Sequence, residues 1–327
     1  MIKEFGGYFQ LDKYRLNMLH ENAIAFNSAR NCLAYIIRKR NIKKLYIPKF
    51  LCSCISQICN REGVEIIYYT IGMDFLPKNI AIENQDWIYI VNYYGQLNND
   101  DIFKLKKFYN NIIVDNVQAY FQKNIEGIDT IYTCRKFFGV TDGAFLYTDI
   151  EDDTNIPKDQ SYDRMSFVLG RYERPASDFY GDYAKWENEL GLEDIKHMSD
   201  LTYNLLHGID YNFVKNVRNN NYNYLSNYFK EINKINLKNV DGAFMYPLYL
   251  ENGSLVRKKL QERKIYISTL WPDVFEICSK QELEYDMAQN ILPLPIDQRY
   301  SVDEMKYMAD SIIDIVQSYN YCTQHIR

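Results

Sequence analysis

The stretch "DWIYIVNYYGQLNNDDIFKLKKFYNNIIVDNVQ", Asp86 to Gln118, decides the fold. It opens with "DWIYIVNYYG", whose apolar run reads as a buried strand. The segment "NDDIFKLKKFYN" follows with apolar residues at helical spacing and a capping signal, and "NIIVDN" returns to strand. Two strands joined through a helix lie parallel in one sheet, because a crossover of that kind returns the chain to its starting end.

The alternation extends outward. Upstream, "SARNCLAYIIRKR" and "CSCISQICNREG" read as helices and "KKLYIP" and "VEIIYYTI" as strands. The fold class is therefore α/β, a mostly parallel sheet with helices on both faces. From Tyr162 to Phe229 the chain is polar and helix-rich, and Phe213, Val217, Tyr224, Leu225 and Phe229 mark a helical stripe through its Asn-rich part. The last hundred residues restart with strand "GAFMYPLYLE", helix "SLVRKKLQERK", short strand "IYIS", extended "NILPLPID" and closing helix "VDEMKYMADSIIDIVQSY". They form a compact α+β unit. We expect a large domain over residues 1–230 and a small one over 231–327, since single cores stop growing near ~250–300 residues.

A formal net charge of −5 argues against general nucleic-acid binding, which needs a basic face, and leaves room only for a local basic pocket. No run approaches the ~18–20 apolar residues of a membrane span, and "MIKEFGGYFQLDKYRLN" lacks the apolar centre of a signal peptide. A cytoplasmic location is expected. Seven cysteines without paired metal-ligand spacing fit reduced thiols, with Cys52, Cys54 and Cys59 on an amphipathic helix that buries them. No metal is expected. The βα alternation alone would also suit a nicotinamide oxidoreductase, but no G-x-G-x-x-G follows the first strand.

In an open parallel sheet ligands bind outside the carboxyl ends of the strands, which singles out "NYYGQ", "VDNVQAYF" and "TIYTCRKFFGVTDGAFLYT" (130–148). Asp115 ends an apolar run, where an ionised, unpaired carboxylate is costly; it is either a helix N-cap or the partner of a cationic heterocycle. Lys136 follows Arg135 like half of a surface pair, yet Phe137, Phe138 and Val140 surround it. A lysine held in an apolar pocket loses proton affinity and becomes a nucleophile for a Schiff base, which points to pyridoxal phosphate. Ser28, Ala29 and Arg30 open a helix whose N-terminus favours an anion such as a phosphate.

Taken in order, "NSARNCL", "IPKFLC", "NYYGQ", "DNVQAYF" and "CRKFFGVTDGAFL" resemble the DegT/StrS family of pyridoxal-phosphate-dependent sugar aminotransferases, of fold type I. "RKKLQERKIYISTLWPDVF" and "ILPLPIDQRYSVDEMKYM" look like that family's C-terminal subdomain. The resemblance implies that Lys136 holds the cofactor as an internal aldimine and then shuttles a proton. It implies that Asp115 keeps the pyridine nitrogen protonated, that Gln118 lies beside the cofactor hydroxyl, and that Ser28, Ala29 and Arg30 bind its phosphate with help from Thr133.

Gly139, Asp142 and Gly143 keep the family spacing after the lysine. Two departures mark a divergent branch: Ala29 and Arg30 stand where Gly-Thr is usual, and Cys52 stands where an aromatic ring covers the cofactor. Tyr94 and Arg299 are expected substrate contacts, Arg299 having a capping or surface role as its alternative. Ser199 is the guess for a middle-region contact, and "GGYF" (6–9) is either a cover for the site or a simple turn. Arg135 is expected to matter much less than Lys136.

The implied activity is transfer of an amino group from glutamate or a similar donor to a keto group of a nucleotide-linked sugar, by a homodimer with shared active sites, for surface polysaccharide or glycan biosynthesis. The alternative is a catalytically idle descendant that uses the fold to bind a ligand or partner.

Overall fold

The computed structural model describes residues 5–78 and 80–324. Eight strands build the main sheet: β1 (Ile24–Phe26), β2 (Lys44–Pro48), β3 (Glu65–Ile71), β4 (Pro77–Lys78), β5 (Trp87–Val91), β6 (Asn111–Asp115), β7 (Asp129–Thr133) and β8 (Ala144–Tyr147). Their spatial order is β1-β8-β7-β6-β5-β2-β3-β4. The five strands from β7 to β3 are mutually parallel, and the antiparallel pairs are confined to the edges, β4 on β3, β8 on β7 and β1 on β8.

The helices that make the parallel crossovers are α1 (Ala29–Arg40), α2 (Ser53–Arg61) and α3 (Asn99–Phe108). The expected cap on α3 is a full capping box: Asn98 Oδ1 accepts from the Asp101 amide at 2.9 Å and Asp101 Oδ2 from the Asn98 amide at 3.1 Å. Chain direction across the sheet reverses between β2 and β5, because β2 leads outward to β3 while β5 leads the other way to β6. Such a reversal opens a crevice at the carboxyl ends of the strands.

The middle of the chain contributes α4 (Ser166–Glu173), α5 (Tyr180–Leu192), α6 (Asp200–Leu206) and the long α7 (Tyr211–Phe229). The α7 helix forms as expected, but its buried stripe is Tyr211, Val214, Arg218, Tyr222, Leu225 and Phe229, and Phe213 is exposed. The shift arises because the buried face includes the polar Arg218 and Asn221, which a hydrophobic pattern leaves out.

The C-terminal part holds β9 (Met245–Tyr249) paired antiparallel with β10 (Ile291–Pro295), and α8 (Gly253–Glu262), α9 (Val274–Ile277), α10 (Leu283–Asn290) and α11 (Val302–Gln324). A separate apolar core runs here from Tyr222 to Ile315. "IYIS" is not a strand. Lys264 takes a left-handed φ of 61° and the Ile265 amide donates back to the Leu260 carbonyl at 3.0 Å, so the segment's first donor closes the end of α8 instead of a sheet ladder.

Candidate active site

A cavity of about 1140 Å³ opens at the carboxyl ends of the strands. Four of the strands deliver polar residues to it at or just past their carboxyl ends: Ser28 and Arg30 after β1, Cys52 after β2, Asp115 at the end of β6, Thr133 at the end of β7 and Lys136 three residues on. The C-terminal segments 269–273 and 297–299 form the facing wall.

Asp115 occupies the last rung of β6, paired with Val91 and Ile131, and is buried. It caps no helix: its Oδ1 accepts from the Val117 amide at 2.9 Å and its Oδ2 from the Tyr89 hydroxyl at 2.8 Å. Burial raises its pKa and the charge of Lys136 opposes that shift. Lys136 is open to the cavity yet enclosed by protein, and this desolvation lowers its pKa, against which Asp115, Cys54 and Cys52 favour the ammonium. Its Nζ lies 5.6 Å from the centre of the Phe244 ring.

The turn after Lys136 is fixed by its own chemistry. Asp142 is fully buried and accepts from the Ser199 amide and hydroxyl and from the Thr202 hydroxyl. Gly143 has φ +112°, and a Cβ there would meet Thr202 Cγ2 at 3.0 Å and Cys134 Sγ at 3.2 Å. Only glycine fits.

At one end of the cavity Ser28 caps α1, accepting from the Asn31 amide at 3.2 Å, while the first-turn amides of Ala29 and Arg30 have no partner within the helix. Arg30 Nη1 and Arg135 Nε are buried there without a hydrogen-bond partner among the described residues. Arg135 forms an ion pair with Glu187 of α5, and burial followed by the Arg30 charge lowers its pKa to about 10. Two orphaned guanidinium nitrogens beside a helix N-terminus fit a phosphate. Arg135 is thus a cavity residue, not a surface charge.

Several expectations are corrected. Tyr94 is fully buried and does not line the cavity; its ring packs near Phe75 and Trp271, and its amide, at a left-handed φ of 53°, donates to Gln118 Oε1 at 2.7 Å. Gln118 itself lines the cavity. Ser199 is buried as the N-cap of α6 and is engaged with Asp142 and Ser161, away from the cavity lining. Segment 6–9 is a solvent-exposed bend that does not line the cavity. Arg299 borders the cavity, but its guanidinium is held by Asp297 at 2.6 and 2.9 Å.

Cys52 does lie at the cavity, as the N-cap of α2, with its Sγ accepting from the Cys54 amide at 3.2 Å. A hydrogen bond from Cys54 and the charges of Arg30 and Lys136 hold its thiol below the usual range, while Cys54 is driven upward. Of the three thiols expected to be buried, Cys59 is, whereas Cys52 and Cys54 border the cavity. The six cysteines whose side chains are described are free. A group of Cys278, Glu282 and Glu284 lies elsewhere, with Lys49 paired to Glu282.

No protein-family profile matches the sequence, and no curated protein matches it. Solved structures do match. Spr1654 of Streptococcus pneumoniae in its PMP form aligns over 92% of this chain and 88% of its own with a TM-score of 0.65 at 14% identity. A DegT DnrJ EryC1 StrS aminotransferase from Brucella abortus aligns over 91% and 86%, TM-score 0.58, 15% identity. Helicobacter pylori PseC, an aminotransferase involved in the biosynthesis of pseudoaminic acid, aligns over 92% and 88%, TM-score 0.59, 15% identity.

The chain has their fold. The likeness holds over about nine-tenths of the chain at 14–15% identity. Within it, the expected residues Ser28, Ala29, Arg30, Cys52, Asp115, Gln118, Thr133, Lys136 and Arg299 all border one cavity, and Tyr94 does not. Polar residues of the lining that went unread in the sequence as site residues include Arg135, Arg218 and Gln298. The signal available for Arg218 was a charge on the buried stripe of a long helix.

Proposed function

We propose that the chain is a pyridoxal-phosphate-dependent aminotransferase of the DegT/StrS type, moving an amino group from an amino acid such as glutamate to a keto group of a nucleotide-linked sugar. The observation that carries this reading is the convergence on one cavity of a buried carboxylate, Asp115, a desolvated lysine, Lys136, and an orphaned cationic pole, Arg30 with Arg135. Bound pyridoxal phosphate supplies a carbonyl carbon for an amine and an electron-withdrawing ring.

The residues divide the remaining work. Lys136 Nζ, whose proton affinity desolvation lowers, would hold the cofactor and would carry the proton of the donor's α-carbon. Asp115, oriented by Tyr89 and Val117, holds a proton on the pyridine nitrogen. Arg30, Arg135 and the amides at the start of α1 bind the phosphate, and Gln118, locked by the Tyr94 amide, orients the ring hydroxyl.

A cavity above the ~300–1,000 Å³ common for small ligands supports a large substrate. Its lining carries six basic against four acidic side chains in a chain of net charge −5, which supports an anionic one. We take the protein as a cytoplasmic homodimer acting in polysaccharide or glycan biosynthesis. Exposed Leu169, Tyr172 and Tyr180 on α4 and at the start of α5, beside the cavity, support association there. No helix among the described residues is long and apolar enough to cross a membrane. The division near residue 230 is supported by the separate core between Tyr222 and Ile315.

The test is spectroscopic. Pyridoxal phosphate should give the purified protein a visible band in the ~390–430 nm region of a lysine-bound cofactor, and glutamate should bleach it. Lys136→Ala should abolish both. A protein that gains no band refutes the reading, and one that gains the band but never bleaches with any amino acid is the idle alternative.

A further inference from the structure

Two thiols meet where α2 begins. Cys52 is the N-cap of that helix, Cys54 is its second residue, and both border the cavity. The Cys54 amide donates to Cys52 Sγ at 3.2 Å, so the Cys52 side chain folds back over Cys54, and the Cys54 thiol donates to the same sulfur. Ser53, between them, is pinned from the facing wall, its amide donating to Asp273 Oδ2 at 2.9 Å. Residues two apart lie within roughly 7 Å at Cα in any backbone conformation, which is the reach of a disulfide. Both thiols are free.

The two are not equivalent. The hydrogen bonds from the Cys54 thiol and amide, with the charges of Arg30 and Lys136, outweigh burial and hold the Cys52 thiol at about 6, so its thiolate is the prevailing form near neutral pH. Cys54 is driven upward by its hydrogen bond to Cys52, by burial and by the Cys52 charge, against which Arg30 acts. A change that neutralises Cys52 therefore removes two of the three influences that keep Cys54 protonated. One sulfur is a nucleophile, and its neighbour becomes one only after the first has reacted.

We infer that Cys52 and Cys54 form an oxidation site for hydroperoxides, Cys52 attacking and Cys54 resolving, which closes to a disulfide on the cavity wall. The inference is independent of the aminotransferase reading. The Cys52 thiolate attacks one peroxide oxygen, the O–O bond breaks and hydroxide leaves; the sulfur is oxidised to a sulfenic acid and the peroxide is reduced. The Cys54 sulfur then attacks Cys52 Sγ, the S–O bond breaks, and the hydroxyl leaves with the Cys54 proton as water. The product replaces an anionic sulfur beside Arg30 and Lys136 with a neutral bridge, so oxidation changes the charge of the cavity itself.

The test treats the reduced full-length protein with hydrogen peroxide before any cofactor is added, then unfolds it in excess iodoacetamide and maps the tryptic peptide Phe50–Arg61, which carries Cys52, Cys54 and Cys59. In the oxidised protein only Cys59 of this peptide should be alkylated, the peptide should have lost two hydrogens, and dithiothreitol should restore alkylation of all three. Cys54→Ser should form no bridge and should leave a sulfenic acid on Cys52 that dimedone traps. Cys52→Ser should slow oxidation of the peptide at least about tenfold, because Cys54 alone is held as the thiol. A wild-type peptide that stays fully alkylated, a bridge that includes Cys59, or a C52S protein oxidised within about twofold of the wild-type rate overturns the assignment. So does a wild-type protein in which dimedone traps Cys52 and no bridge follows.

Discussion

Ser199 donates to Asp142 twice, from its amide at 2.8 Å and its hydroxyl at 2.9 Å, and so ties the turn after Lys136 to the first turn of α6. Asp142→Ala would leave the Ser199 amide and the Thr202 hydroxyl without their acceptor in a buried site. The expected cost is about 3 kcal/mol in urea unfolding, with weakened cofactor retention because the lysine-bearing turn loses its anchor. Unchanged stability would mean that the turn is held by something else.

Arg135→Ala removes a cavity guanidinium rather than a surface charge. Pyridoxal phosphate affinity should fall by about 10- to 100-fold, while inorganic phosphate should compete less well than it does with wild type. Fluorescence titration would read both. An affinity equal to wild type would return Arg135 to the minor role that its place in the sequence implies.

Cys52 should alkylate well below the ordinary thiol range, because its thiolate is stabilised by Cys54 and by the Arg30 and Lys136 charges. Iodoacetamide labelling followed across pH by mass spectrometry should mark Cys52 first and leave the deeply buried Cys32 and Cys134 unmodified. Bound pyridoxal phosphate should protect it. Equal labelling of all thiols, or labelling of Cys52 only above pH ~9, would contradict the site geometry.

His20 gives a pH dependence of stability away from the cavity. Its ring is buried against Tyr120, Tyr132 and Phe145, Nε2 donates to the Tyr120 carbonyl at 2.9 Å, and burial lowers its pKa to about 4. Between that value and the unfolded ~6.5 the unfolded chain binds the extra proton, so stability falls as pH drops through this window. The loss should be about 3 kcal/mol across the full window. His20→Gln should flatten the profile of unfolding midpoint against pH between about 6.5 and 4.

The α/β class and the places of Asp115 and Lys136 were legible because both depend on local pattern: apolar strands of fixed period, each followed by a polar residue at its carboxyl end. Arg135 was misread because adjacent residues of a tight turn need not alternate between core and solvent as they do in a strand. Both basic side chains turn inward here. Tyr94 failed for the converse reason, since a residue with left-handed backbone can send its ring into the core while its amide serves the site. Arg218 was hidden because a helical stripe is read by its apolar members, and a cation is placed on it only when distant segments supply acceptors, here Ala243, Phe244 and Gln298. The β1 edge strand, three residues long, carries too little periodicity to register.

Part of the cavity wall comes from the C-terminal part of the chain and packs into the main core. Trp271, at a left-handed φ of 56°, packs its ring on Phe50 and Tyr93, while Asp273 Oδ2 accepts from the Ser53 amide at the start of α2 at 2.9 Å. The pocket is complete only when both halves of the chain are folded and docked. Occupancy therefore acts as a clasp: a ligand at a hundred times its dissociation constant adds ~2.7 kcal/mol that neither half could claim alone, and draws their melting into one transition.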